Sequence, residues 1–232
     1  MQIKRAMILA AGFGKRMMPL TEKIPKPLIK IGHKSLLERS IELLIKIGIN
    51  EIVLNTHYLS DEIEKFLKNK DYKISIHTHK EEALLDTGGG ILNATKQFKN
   101  EPFFVINPDT IWNMNYYGEL KILENFYLEK RQSVLLLVDK KKSHDKSFKG
   151  DFNFSKNRTI IRKKNNQYIF TGVQIINRSI FKSVEDKIFS MNSVWNKLIK
   201  IQKLFGQESN QTFFHVNNIK VYEELNKLKF ID

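Results

Sequence analysis

The sequence of 232 residues contains no cysteine, which excludes a disulfide framework and any thiolate metal site. It also lacks any apolar run near the ~18 residues that a membrane-spanning helix needs. Lys4 and Arg5 interrupt the opening residues, so these do not read as a secretory leader. A cytoplasmic protein is expected. Acidic residues are outnumbered, 25 against 39 lysines and arginines, for a formal net charge of +14. Such a balance raises nucleic acid as a partner. The lysines, however, are spread along a chain rich in Lys, Asn, Ile and Phe, and the dense run is confined to residues 139–142 with Lys146 and Lys149. A polyanionic small substrate accounts for the charge, with neither nucleic acid nor membrane as partner. The length suits a single domain, 1–232, of α/β type with a sizeable core.

Two familiar phosphate loops are missing as well. The apolar run Ala6 to Ala10 reads as a buried strand and breaks at Gly12 and Gly14. The dinucleotide fingerprint requires a third glycine where Met17 stands, and a Walker-type loop requires Ser or Thr where Arg16 stands. What is present is a third kind of loop. Glycines just past a strand let backbone N–H groups approach a ligand. Lys15, Arg16 and the proline-bracketed Lys26 add fixed positive charge, so a phosphate chain is the ligand the stretch suggests.

Downstream, strand and helix alternate, which predicts parallel strands with crossover helices. Ser35 and Glu38 have capping-box spacing for a helix to Ile47, stopped by Gly48. Glu51 to Asn55 reads as a strand, Ser60 as the cap of a second helix, and Lys73 to His77 as a strand. Thr87-Gly88-Gly89-Gly90 precedes a helical run, Ile91 to Phe98. Three glycines there serve either a flat ligand lying on the backbone or a flexible turn. Residues 103–106 form a central strand ending in Asn107-Pro108-Asp109. A carboxylate at the carboxyl end of a parallel strand suits Mg²⁺, although an Asp closing a turn is the plainer reading. Asn115 to Lys130 reads as a helix with Leu120, Leu123 and Tyr127 inward, followed by a strand from Ser133 to Val138. Phe152 to Phe154, Thr159 to Arg162 and Tyr168 to Ile176 suggest antiparallel strands added to the sheet. Ser193 to Phe205 and Asn218 to Leu228 read as amphipathic helices.

Leu9-Ala10-Ala11-Gly12-x-Gly14-x-Arg16-Met17-x-Pro19-Leu20-Thr21, followed by Pro25-Lys26-Pro27-Leu28, resembles the signature of sugar-1-phosphate nucleotidyltransferases. Later segments resemble in particular the small bacterial N-acetylmuramate-1-phosphate uridylyltransferases. The resemblance implies a Rossmann-like (GT-A-like) domain with a mixed, mostly parallel sheet flanked by helices. It implies transfer of a nucleoside monophosphate from a triphosphate to a sugar 1-phosphate, with release of pyrophosphate and use of a divalent metal. Leu85-Asp86-Thr87-Gly88-Gly89-Gly90-Ile91 is similar to a base-contacting segment in which glutamate stands at the place of Asp86. Carried over, Leu9, Ala10, Ala11, Gly12, Gly14, Lys15, Arg16, Lys26, Gly88 and Gly89 bind the nucleotide. Arg16, Lys26 and Asp109 are catalytic. Asn107, Asp151, Thr171 and Gly172 face the sugar, Asp151 through a Gly150-Asp151-Phe152 match and the latter two through Phe170-Thr171-Gly172-Val173. Gly172 reads equally well as a strand bulge.

The tail departs from the pattern. Phe213-Phe214-His215-Val216-Asn217-Asn218 aligns His215 with the aspartate that serves as the second metal ligand, and Asn217-Asn218 with Gly-Thr. An imidazole is softer than a carboxylate and suits Mn²⁺ better than Mg²⁺; a plain core histidine is the alternative. The expected mechanism is in-line attack of a sugar 1-phosphate oxygen on the α-phosphorus, catalysed by positioning and charge stabilisation. Open alternatives are mannose 1-phosphate with GTP, phosphocholine with CTP, and a catalytically weakened nucleotide-binding homologue with a regulatory role.

Overall fold

In a computed structural model, which describes residues 2–228, the alternating pattern resolves into one seven-stranded sheet. In chain order the elements are β1 (Arg5–Leu9), β2 (Lys30–Ile31), β3 (Lys34–Ser35), α1 (Leu36–Lys46), β4 (Glu51–Thr56), α2 (Ser60–Lys68), β5 (Ser75–Lys80) and α3 (Asp86–Ala94). There follow β6 (Pro102–Ile106), α4 (Tyr116–Lys130), β7 (Ser133–Asp139), β8 (Asn153–Phe154), β9 (Ile160–Ile161), β10 (Tyr168–Asn177), α5 (Met191–Lys200), β11 (Leu204–Ser209) and α6 (Ile219–Asn226). The strand order is β11-β7-β10-β6-β1-β4-β5. Six of these strands point the same way; β10 alone runs against them, hydrogen-bonded between β6 and β7. The mixed, mostly parallel α/β sheet expected from the sequence is therefore present. Among the described residues no helix is long and apolar enough to cross a membrane.

Side chains alternate across a strand, and both faces of this sheet are covered, so the central strands are apolar throughout. Ala6 and Ile8 face a core shared with α1, α2 and α4, whereas Met7 faces one shared with α3 and α5. Helix α1 starts where the capping box predicts, with the Ser35 hydroxyl accepting from Glu38 N–H at 3.1 Å. In α4, Leu120, Leu123 and Tyr127 are buried, as their spacing implies. Asn218 caps α6 by accepting from Val221 N–H.

Other expectations are corrected. Ser60 is the first residue of α2 rather than its cap: Leu59 precedes it at φ 51°, and the Ser60 hydroxyl donates to Asp61. Lys73 takes a left-handed φ of 56°, so β5 begins at Ser75 and extends to Lys80. Helix α3 begins at Asp86, which places Gly88, Gly89 and Gly90 inside its first turns. Of the three added strands only β10 joins the sheet; β8 and β9 form a separate ribbon. The amphipathic run from Ser193 ends as a helix at Lys200, and residues 204–209 become an edge strand parallel to β7.

Candidate active site

The cavity lies beyond the carboxyl ends of β1, β4 and β6, where ligands bind in open α/β sheets. It measures about 570 Å³, within the range of small-molecule sites. The predicted stretch Leu9, Ala10, Ala11, Gly12, Gly14, Lys15 and Arg16 lines it, together with Lys26, Asn107 and Asp109. Gly14 turns the loop at φ 65°, and a Cβ there would meet Thr21 Cγ2 at 2.8 Å. Around Gly12 nothing lies within 4 Å of where a Cβ would be, which leaves its backbone open. Lys15 sits over the Phe13 ring at 5.3 Å. Among the described residues no carboxylate pairs with Lys15 or Arg16, so both charges stand ready for an anion.

Ala10 is the exception on this loop. Its N–H donates to Asn55 Oδ1 at 3.0 Å, and the Asn55 amide donates in turn to Glu81 Oε1 at 2.7 Å. Glu81 Oε2 accepts from Leu85 N–H at 3.0 Å. Asn55 and Glu81 are nearly inaccessible and end two adjacent parallel strands, so they anchor the loop from beneath. Sequence reading passed over both, although a polar residue closing an apolar strand at its carboxyl end is a signal in its own right.

This bridge explains the third glycine of the triplet. A Cβ on Gly90 would lie 2.6 Å from Asn55 Nδ2 and 2.8 Å from Glu81 Oε1. Gly88 and Gly89 are also packing residues. Their N–H groups both donate to Phe189 O, and a Cβ would strike Phe189 or Lys187 O. On this segment Leu84, Asp86 and Thr87 line the cavity, while Gly88 and Gly89 are buried against Phe189 and Lys187. Gly90→Ala gains roughly 1 kcal/mol of helix propensity but loses more, because a buried hydrogen-bonded pair is wedged apart at about 1–3 kcal/mol on top of overpacking. A net loss of about 2 kcal/mol is expected in denaturant unfolding, with weaker nucleotide binding; unchanged values for both would refute the anchor.

Lys26 and Asp109 meet across the cavity floor, with Nζ to Oδ2 at 2.7 Å. Asp109 is held by its backbone too: its carbonyl accepts from Val216 N–H at 2.7 Å, and Ile111 N–H donates to Phe214 O. These bonds lay residues 213–216 beside 109–111 and bring His215 Nε2 to 3.6 Å from Asp109 Oδ2. Burial works to raise the Asp109 pKa, but the facing His215 and the Lys26 ammonium outweigh it and hold the carboxyl at about 2. Burial pushes the His215 pKa down, aided by Lys26 and Arg16 and opposed by Asp109. The Thr110 hydroxyl donates to Thr171 O at 2.6 Å, so its contact with His215 Nδ1 at 3.3 Å needs the proton on Nδ1. In the neutral ring Nε2 then presents a lone pair toward Asp109.

Asp109 Oδ1 is buried without a hydrogen-bond partner. An orphan carboxylate oxygen beside an unprotonated imidazole nitrogen is a donor set that fits a divalent cation. Among the described residues no group of three or more His, Asp or Glu side chains could hold a metal, so the pair would need ligand oxygens to complete a shell.

The remaining predicted residues lie off the cavity wall. Thr171 is fully buried, and its hydroxyl donates to Leu136 O at 2.9 Å. Gly172 is the bulge: its φ is 100°, the β10–β7 register shifts around it, and its carbonyl accepts from Asn107 N–H. Asp151 is exposed, with Oδ2 accepting from Phe170 N–H at 2.9 Å. Asn217, also missed, lines the cavity and donates to Asp145 Oδ2.

Residues 5–202 match the family described as nucleotidyl transferase. An N-acetylmuramate alpha-1-phosphate uridylyltransferase of Caulobacter vibrioides is 29% identical over 224 residues, 93% of this chain and 92% of that protein. The mannose-1-phosphate guanylyltransferase catalytic subunit beta of Xenopus tropicalis is 37% identical over 112 residues, 46% of this chain and 31% of the relative. A UDP-glucose pyrophosphorylase solved with UDP-glucose shares the fold, with a TM-score of 0.80 at 18% identity, covering 97% of this chain and 98% of its own.

Proposed function

The chain belongs to the nucleotidyl transferase family and is a sugar-1-phosphate nucleotidyltransferase, and we propose that it joins UTP to N-acetylmuramate 1-phosphate with release of pyrophosphate. One observation carries the substrate reading: the similarity to a protein described as acting on that sugar extends over nearly the full length of both chains. Mannose 1-phosphate with GTP is the second reading, favoured by the higher identity of a match that covers under half of this chain.

In this reading the triphosphate lies along the Gly12–Gly14 backbone, with Lys15 and Arg16 against its β- and γ-phosphates. Lys26 moves from Asp109 to the α-phosphate or the sugar phosphate, where negative charge develops during in-line displacement. The nucleophile is already an anion, so no general base is needed. Asp109 and His215 Nε2 would hold a divalent cation, Mg²⁺ or the softer-ligand-tolerant Mn²⁺, which neutralises phosphate charge when bound. The Asn55–Glu81 bridge keeps the loop in place throughout.

Pyrophosphate release from purified protein tests the proposal. UTP, GTP and CTP are each paired with N-acetylmuramate 1-phosphate, mannose 1-phosphate, glucose 1-phosphate and phosphocholine, in Mg²⁺ and in Mn²⁺. The expected result is highest kcat/KM with UTP and N-acetylmuramate 1-phosphate. Preference for any other pair would overturn the substrate assignment while leaving the reaction class intact.

A further inference from the structure

Beside Asp151 stands a cation that forms no ion pair among the described residues. Arg162 follows β9 directly, and its guanidinium lies over the Phe152 ring, 4.7 Å from the centroid. It donates to Asn192 Oδ1 at 2.5 Å, in the first turn of α5. Phe152 is fully buried and packs edge-on against Trp195, which also takes Phe170 edge-on at 4.9 Å. The Trp195 indole is itself tied to Gln174 Oε1. An aromatic stack thus braces the guanidinium from below and an amide holds one corner. A guanidinium has five N–H donors in a rigid fork, and one of its nitrogens is occupied here.

Asp151 is the neighbouring acid, yet the two do not form an ion pair, and one Asp151 oxygen is engaged by Phe170 N–H. Asp151 lies within electrostatic reach of both Arg162 and His215. The structure ties both residues to the cavity rim. Asn192, the partner of Arg162, follows Met191, whose N–H donates to the cavity-lining Thr87 at 2.9 Å. Asp151 is held by Phe170 N–H on the strand whose Gly172 packs against the cavity-lining Asn107. Burial lowers the Arg162 pKa and the charge of Asp151 opposes it, while the residue as a whole remains exposed. Asp151 accepts from hydroxyl or amide donors on a ligand and would repel a ligand acid. Arg162 is the neighbouring group suited to receive one.

We propose that Arg162 is a specificity residue that binds a carboxylate carried by the sugar phosphate on the side away from its phosphate. In N-acetylmuramate 1-phosphate this is the lactyl carboxylate, and the inference rests on the substrate reading given above. A guanidinium pre-oriented on an aromatic face meets a carboxylate bidentately, which a lysine does not reproduce. A neutral sugar leaves the same guanidinium in water at little cost, so selectivity comes from attraction of the acid.

The test compares N-acetylmuramate 1-phosphate with N-acetylglucosamine 1-phosphate, which differs only by lacking the lactyl group. Arg162→Ala should lower kcat/KM for the acid sugar about 10–100-fold, mainly through KM, and leave the neutral sugar within about two-fold. Arg162→Lys should recover part of the loss. Calorimetric binding of each sugar phosphate gives the same comparison without turnover. Equal losses on both sugars, or an undiminished response to the acid sugar, would overturn the proposal. Wild-type protein that prefers the acid sugar and keeps this preference in Arg162→Ala removes the Arg162 assignment alone. Wild-type protein that favours a neutral sugar removes the substrate reading and this inference together.

Discussion

Lys26→Ala should lower pyrophosphate release about 10²–10³-fold, the usual cost of removing one charge that stabilises a transition state. The loss should fall on kcat, because Lys15 and Arg16 still hold the triphosphate of the bound substrate. A second effect follows from the ground state. Lys26 is the hydrogen-bonded partner of Asp109 Oδ2, and Oδ1 already has none. Without the ammonium, both oxygens of a confined carboxylate lack a cation, and its pKa rises from about 2. The variant should therefore be less stable alone and gain more melting temperature than the wild type when Mn²⁺ is added. Steady-state kinetics with thermal shifts in metal and in chelator would check both parts. A variant that lost KM alone, or that ignored Mn²⁺, would argue against a shared role for Lys26 and the cation pair.

Asp109→Asn should be the more damaging change, roughly 10³-fold or beyond, since several kcal/mol of charge stabilisation is lost with the ligand. The amide is isosteric, so the backbone bonds from Val216 to Asp109 and from Ile111 to Phe214 should persist. The amide also places a neutral group against the Lys26 ammonium, leaving that charge buried without a counterion. Calorimetric Mn²⁺ titration in the presence of UTP reads the effect independently of turnover. As a companion, His215→Asp replaces a soft donor by a hard one and should move the metal preference from Mn²⁺ toward Mg²⁺. Metal affinity indifferent to both substitutions would refute the pair as ligands.

How far these features could be read in advance depended on how local their causes are. The β1 strand and its loop are visible in ten consecutive residues, because burial on both faces and a glycine turn are local demands. The α1 cap is equally local. The glycine triplet is not: its reasons sit at Asn55, Glu81, Lys187 and Phe189, far away in the chain. Strand β11 carries Gly206 in its centre and follows an amphipathic helix, so its pattern reads as helical. Gly206 is needed because Phe154 and Ile160 crowd the place of a Cβ, a contact fixed by the ribbon across from it. His215 could be aligned with a metal ligand, but its tautomer required the Thr110 and Thr171 contacts that only folding supplies.

The lone antiparallel strand has a consequence for how the molecule is made. During synthesis β6 and β7 leave the ribosome before β10, yet neither pairs with the other. Until residues 168–177 emerge, the nascent chain holds a four-stranded piece ending at β6 and an unattached β7. Both expose an open edge ready to pair with another chain. Asp109 belongs to the early piece, whereas His215 arrives with the last segment and docks beside it. Assembly of the two halves and completion of the cation pair are thus late events, and they coincide with the closing of the edges that make a partial chain prone to aggregate.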